Sequence, residues 1–370
     1  MTKKKILAVF GTRPEAIKMI PVVMALRKAG LETVVITTSQ HKEMLDQVMR
    51  VFKIKANYDL NIMIPDQTLS DISITILWKM GKILEKEKPS IVLVQGDTAT
   101  AFTSTLGAFY HRIPIGHIEA GLRTYDKYNP FPEEMNRQLI DVLCDFYFVP
   151  TREARQNLLR EGKLKEKIFI TGNTVIDAAL FIAEKDYKFK NKTLSKIDFI
   201  KKRVILLTCH RRESFGEKME SIFRGVKKIV DEFKDVEIVF PVHLNPNVQK
   251  SAQKILSKHP HIYLIKPIVY SDIIKLMENC YLVMTDSGGL QEEAPAFNKP
   301  VLVLRDETER IEGIKAGTLK LVGTNEERVY DSTKKLLDDK KEYQKMAQAK
   351  NPYGDGKASQ RIVRIILKNL

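Results

Sequence analysis

Cysteine is scarce in this chain of 370 residues, with only Cys144, Cys209 and Cys280. They are odd in number, far apart and without a CxxC pair, which excludes a disulfide framework and a cysteine zinc knuckle. Cys209 stands beside His210, but neighbours on a strand face opposite ways, so all three are expected to be buried, inert thiols. Apolar runs are short, and none approaches the ~20 residues of a membrane span. The start, Met1-Thr2-Lys3-Lys4-Lys5, leads straight into an apolar strand and lacks the longer apolar stretch of a signal peptide, so a cytoplasmic location is expected. Nucleotide-loop signatures are missing too. One glycine, not GxGxxG, follows the first strand, and no GxxxxGK[ST] occurs. The segment Gly354-Asp355-Gly356-Lys357-Ala358-Ser359 matches only part of such a loop and has no strand before it. Without HExxH or a compact His/Cys/carboxylate set, no metal or redox cofactor is expected.

What the chain does have is positive charge, +15 from 61 basic and 46 acidic residues. That suits an anionic partner. The lysines are spread along the whole length, the densest run (185–203) reads as a solvated connector, and no aromatic–basic platform appears, so nucleic acid is not expected. A phosphorylated small molecule accounts for the charge as well. The length exceeds one ordinary core and points to two domains.

Apolar runs alternate with amphipathic segments, the pattern of βαβ units and parallel sheets. Strands are expected at 6–10, 33–37, 91–95, 115–119, 146–149 and 168–171, with a lysine-rich connector before a second set at 204–209, 237–241, 262–265, 282–285 and 301–304. Helical patterns lie between them, and a last one spans 359–370. The reading is α/β: two Rossmann-like, doubly wound parallel-sheet domains, at 1–174 and 175–358, the terminal helix 359–370 joining the first.

Ligands of such sheets bind beyond the carboxyl ends of the strands, and there the polar residues accumulate. The first strand runs into Gly11-Thr12-Arg13, with Lys18 a turn into the next helix; others run into Gly96-Asp97-Thr98, Glu119, His210-Arg211-Arg212 and Asp286-Ser287-Gly288-Gly289. Ser287-Gly288-Gly289 before a helix can cradle an anion on backbone N–H groups, or can be a plain N-cap. With Arg13, Lys18, His210 and Arg310 also near strand ends, a diphosphate is the favoured ligand. Asp97, Glu119, Glu133 and Glu134 are raw material for acid–base chemistry if burial raises a pKa; alternatively they brace the long loop 117–137 by pairing with Arg123, Arg137 or Lys18. Spacing does not choose between Glu133 and Glu134. Arg123 and Arg137 are expected to brace the loop.

Eight segments, in order, carry a resemblance: GTRPEAIKM (11–19), QGDT (95–98), HIEAGLRT (117–124), PFPEEMNR (130–137), TCHRRESFG (208–216), PVHLNP (241–246), TDSGGLQEEAP (285–295) and RDETERIE (305–312). Together they resemble the non-hydrolysing UDP-N-acetylglucosamine 2-epimerases. The resemblance implies the GT-B architecture, a homodimer, and interconversion of UDP-N-acetylglucosamine with UDP-N-acetylmannosamine through 2-acetamidoglucal and UDP, for cell-envelope polysaccharides. It implies that Arg13, Lys18, His210, Ser287, Gly288, Gly289, Glu293 and Arg310 hold UDP, that Asp97, Glu119 and Glu133 are catalytic carboxylates, and that His210 takes part in catalysis. Gln40, His41, Gln67 and His243 resemble a second, allosteric nucleotide site, although Asp66 stands where regulated relatives carry an arginine, and an acid there would repel a diphosphate. Three competing readings are a hydrolysing relative, a GT-B glycosyltransferase and a UDP-sugar sensor without turnover.

Overall fold

The computed structural model describes residues 4–39, 42–64, 66–184 and 187–370. The chain divides into two compact units, Met1–Ala178 with Tyr353–Leu370, and Ala179–Pro352. The unit boundaries fall a few residues from the expected breaks.

Unit 1 holds seven parallel strands: β1 (Lys5–Phe10), β2 (Glu32–Thr37), β3 (Tyr58–Asp59), β4 (Ile91–Gln95), β5 (Ile115–Ile118), β6 (Phe146–Val149) and β7 (Ile168–Ile170). Their spatial order is β3-β2-β1-β4-β5-β6-β7. Unit 2 holds β8 (Arg203–Thr208), β9 (Val236–Pro241), β10 (Ile262–Ile265), β11 (Leu282–Thr285), β12 (Val301–Val303) and β13 (Leu319–Leu321), in the order β10-β9-β8-β11-β12-β13. Both are Rossmann-like α/β domains. In each, the chain winds outward from its first strand and then jumps to that strand's other side. The switch points are therefore β1/β4 and β8/β11, where crevices open for ligands.

The central strands are buried on both faces, as helix-covered parallel sheets require. Ile6 through Phe10 and Ile205 through Leu207 have no accessible surface. Sequence reading missed β3 and β13, edge strands of two and three residues. They are too short to show a period and form because a neighbouring edge offers its hydrogen bonds. The three cysteines are free and buried, and burial pushes the Cys280 thiol up to about 12 and the other two well above their usual value. No helix among the described residues is long and apolar enough to cross a membrane.

The terminal helix Ala358–Asn369 packs on the helix Arg13–Lys28 within unit 1. Its first N–H groups lack intrahelical acceptors, and Asp177 supplies them: the carboxylate accepts from Ala358 N–H at 3.1 Å and Ser359 N–H at 2.8 Å. Removing this cap with Asp177→Ala should cost about 1–2 kcal/mol, read as a lower urea midpoint and faster proteolysis of the terminal helix. An unchanged midpoint would show that apolar packing alone holds that helix.

Candidate functional site

Two consecutive N–H groups leave β1 with no strand to bond. Gly11 N–H, Thr12 N–H and the Thr12 hydroxyl all donate to Glu15 Oε2, at 3.0, 2.7 and 2.7 Å. Across the switch point, the Thr98 hydroxyl donates to Glu15 Oε1 at 2.7 Å. Glu15 is buried, and burial raises its pKa against these hydrogen bonds. Gly11 must be glycine: a Cβ there would meet Thr38 Oγ1 at 2.0 Å and Thr100 Oγ1 at 2.6 Å. This frame starts the helix that carries Arg13 at its first turn and Lys18 one turn on.

Lys18 reaches the end of β5. Its Nζ lies 2.6 Å from both carboxylate oxygens of Glu119. Gln95 Nε2 also donates to Glu119 Oε2, and Asn173 Nδ2 to Oε1 at 3.0 Å. Strand β5 was expected to include Glu119 but stops at Ile118, because Glu119 takes a left-handed conformation with φ 69°. A non-glycine residue there is strained and is kept only where its surroundings over-determine it. The Lys18, Gln95 and Asn173 contacts do so.

Asp97 follows β4, and its Oδ2 lies 2.6 Å from Arg137 Nη2. Burial pushes its carboxyl above the ordinary range; Arg137 and Lys18 pull it down, Glu119 and Glu133 push it further up. The turn is held from β5 and from the helix Glu133–Leu143. Gly96 N–H donates to the Ile118 carbonyl at 3.1 Å, Asn136 Nδ2 donates to the Asp97 carbonyl at 2.9 Å, and His117 Nε2 lies 2.8 Å from the Gly96 carbonyl. His117 is fully buried, with Nδ1 2.7 Å from Asp141 Oδ1.

The structure separates the two glutamates that spacing left tied. Glu134 is fully buried: burial opposes its charge, but Gln138, the Thr124 and Tyr125 N–H groups and Arg137 more than offset that, and its pKa is lowered. It is a loop brace. Glu133, half-buried at the start of the same helix, takes no hydrogen bond or ion pair through its carboxylate among the described residues. Arg123 braces the loop as expected, bonding Asp141 and Glu161 at 2.7 Å each. Arg137 does not only brace. One turn below Glu133 on the same helix face, it reaches the carboxylate of Asp97, which corrects the expectation for it.

In unit 2 the same device recurs. Asp286, fully buried after β11, accepts from His210 N–H at 2.5 Å and Arg211 N–H at 2.7 Å on one oxygen. Its other oxygen lies 3.4 Å from His210 Nδ1. Burial lowers the His210 pKa against the pull of Asp286, with His243 and Arg211 adding to the depression, which favours the neutral ring. Ser287 stands at the N-cap position of the short helix Gly288–Glu293, with no side-chain capping hydrogen bond among the described residues. The Arg310 guanidinium lies over Gly288, where a Cβ would meet Nη2 at 3.2 Å, and Arg310 Nε donates to Glu292 at 2.7 Å. Glu293 is buried and accepts from the Tyr270 hydroxyl at 2.7 Å.

Of the second-site residues, His243 stacks on His210 with centroids 5.3 Å apart. Gln67 spends its amide on its own loop, donating to the Ile62 carbonyl and accepting from Ile64 N–H. Gln40 and His41 lie outside the described residues. Among the described residues no group of three or more His, Cys, Asp or Glu is arranged to hold a metal ion.

Sequence reading gave no role to Glu15, Gln95, Asn173 or Asp286, although each lies at or just past a glycine-bearing strand end, near Gly11, Gly96, Gly172 and Gly288, the signal that could have found them.

The family model for UDP-N-acetylglucosamine 2-epimerase matches residues 24–367. The chain is 50% identical to the UDP-N-acetylglucosamine 2-epimerase of Bacillus subtilis, over 99% of this chain and 96% of that one. It is also 50% identical to the enzyme of that name from Escherichia coli, over 99% of each. The structure of UDP-GlcNAc 2-epimerase from Neisseria meningitidis bound to UDP-GlcNAc superimposes with a TM-score of 0.87 at 48% identity, covering 99% of this chain and 100% of that one. With carboxylates at one switch point and a glycine-bearing helix start at the other, the chain belongs to the UDP-N-acetylglucosamine 2-epimerase family.

Proposed function

We propose that this protein interconverts UDP-N-acetylglucosamine and UDP-N-acetylmannosamine, an isomerase needing no cofactor, and supplies envelope polysaccharide synthesis from the cytoplasm. The observation that carries this reading is the charge cluster at the β4 and β5 ends, where Asp97 pairs with Arg137, Glu119 pairs with Lys18, and the Glu133 carboxylate has no partner among the described residues. Binding an anion calls for cations and N–H groups, not for three carboxylates.

The C2 proton of the sugar is not acidic in the ground state. Breaking the bond between C1 and the UDP oxygen builds positive charge at C1, and the C2 proton can then leave to a base, giving 2-acetamidoglucal and UDP. Proton return to the opposite face, with re-addition of UDP at C1, completes inversion. Asp97, with its raised pKa, and Glu133, with its unengaged carboxylate, are suited to exchange that proton. Glu119, surrounded by donors, has little capacity left to take one and is suited to electrostatic work on the cationic centre, with Lys18 held in line. Arg13, Lys18, Ser287, Gly288, Gly289, Glu293 and Arg310 are assigned to UDP, and His210 joins them as a neutral hydrogen-bonding partner of the leaving group.

We also propose a homodimer formed through unit 1. The helices Leu69–Glu87, Ala99–Tyr110 and Glu133–Leu143 pack side by side, and their outer stripes are apolar: Ile74 and Trp78, Phe109 and Tyr110, Leu139 and Val142 are all exposed. An apolar layer three helices wide marks a protein contact.

Three outcomes follow. In D2O with UDP-N-acetylglucosamine, the proton spectrum should show a second nucleotide sugar and deuterium at C2 of both species; free sugar plus UDP would instead favour hydrolysis, and an unchanged spectrum a transferase or sensor. Arg137→Met removes a cation that lowers the Asp97 pKa, so that pKa rises and the limb of the pH–rate profile it controls moves to higher pH, whether Asp97 serves as acid or base. A stationary or downward-moving limb would sink the assignment. Finally, the protein should run as a dimer in light scattering and the double variant Ile74→Lys, Trp78→Glu as a monomer; a monomeric native protein would refute the interface.

A further inference from the structure

Glu119 is held in part by a residue outside the eight motif segments named above. Asn173 sits just past β7, and each of its polar groups is engaged. Its Nδ2 donates to Glu119 Oε1 at 3.0 Å, its Oδ1 accepts from Val175 N–H at 3.0 Å, and its own N–H donates to the Tyr353 carbonyl at 2.6 Å. Asn173 and Tyr353 are both buried. Gly172 lets the segments approach: it has φ 88°, and a Cβ there would meet the Tyr353 carbonyl oxygen at 3.2 Å.

These three bonds join unlike parts of the chain. The Oδ1 bond caps the helix Thr174–Ala183, along which the chain passes from unit 1 into unit 2 after Ala178. The N–H bond holds Tyr353, the residue at which the chain returns to unit 1. The Nδ2 bond reaches the carboxylate proposed to act at the sugar. Both covalent connections between the units thus start beside Asn173, and Asn173 touches Glu119.

We infer that Asn173 is a positioning residue for the epimerisation: through Nδ2–H it fixes the Glu119 carboxylate relative to the two crossing segments. This rests on the reading of Glu119 as catalytic. The strain at Glu119 makes the point sharper. A left-handed glutamate has no local reason to hold its rotamer, and Gln95 and Lys18 grip it from β4 and from the first helix, leaving Asn173 to fix it from the side of β7.

A cap and a positioning donor can be told apart by substitution. Asp and Ser are as good at a helix N-cap as Asn, so Asn173→Asp and Asn173→Ser keep the Val175 bond. Asn173→Asp replaces the donor with a like charge beside Glu119, and Asn173→Ser is too short to reach it. Measured beside Glu119→Gln, Asn173→Ser should keep the native melting midpoint, and both variants should keep the native UDP affinity by calorimetry and lose kcat by about 10²-fold, the scale of a slight misplacement of a reacting group. Native kcat in either variant, with Glu119→Gln inactive, would overturn the role of Asn173. Native kcat in Glu119→Gln would overturn the reading of Glu119 itself. A kcat loss that only tracks a lowered midpoint would assign Asn173 to stability and overturn the inference as well.

Discussion

Both domains solve one problem the same way, and the site depends on the solution. A parallel strand that ends at a switch point leaves consecutive N–H groups with no neighbouring strand to bond, and buried unpaired donors are costly. In each sheet one buried carboxylate oxygen takes both: Glu15 for Gly11 and Thr12, Asp286 for His210 and Arg211. The carboxylates come from opposite places, one from the helix after the first strand and one from the end of the strand across the switch. Each loop is thereby closed on the sheet, and the side chains beside it, Arg13 and Lys18 in one unit and His210 in the other, start from a fixed backbone.

The outline of this arrangement was legible in the amino-acid sequence because parallel sheets put function at strand ends and the strands are near-continuous apolar runs. Glycine before Asp97 and the pair after Ser287 marked loops that approach something closely. What stayed hidden was contact between distant positions. Lys18 meets Glu119 from 101 residues away and Asn173 meets it from 54, separations at which no periodicity speaks. The left-handed Glu119 was hidden for another reason: glutamate carries no propensity for that conformation, so only the contacts that enforce it reveal it. Arg137 was misplaced because a cation in a charged loop reads as a brace until the helix phase is known. That phase points it at Asp97.

The same helix phase sets two adjacent glutamates apart. Neighbours on a helix diverge by about 100°, so Glu133 and Glu134 cannot serve one place. Glu134 turns to the loop, where the N–H groups of Thr124 and Tyr125 converge on it. A carboxylate so thoroughly hydrogen-bonded is kept ionised and cannot trade protons near neutrality. Its neighbour keeps an unengaged carboxylate on the side of Asp97, close enough to push that residue's pKa up.

Charge counting gives a misleading picture of the anion half. The basic excess of the chain suggests a cationic trap, yet Arg310 is balanced by the buried Glu292 and burial favours the neutral ring of His210. On the proposed assignment of UDP, attraction for the diphosphate in unit 2 rests on the direction of donors, the N–H groups at Gly288 and Gly289 and the fork of Arg310 over them, more than on net charge. For an epimerase that is the better design. In the elimination and re-addition proposed above, UDP becomes a leaving group, stays while the glycal is reprotonated, and adds back, so a site that bound the free dianion much more tightly than the sugar ester would stall between the two halves of the reaction. Donors aimed at a fixed point favour the developing charge without deepening that trap.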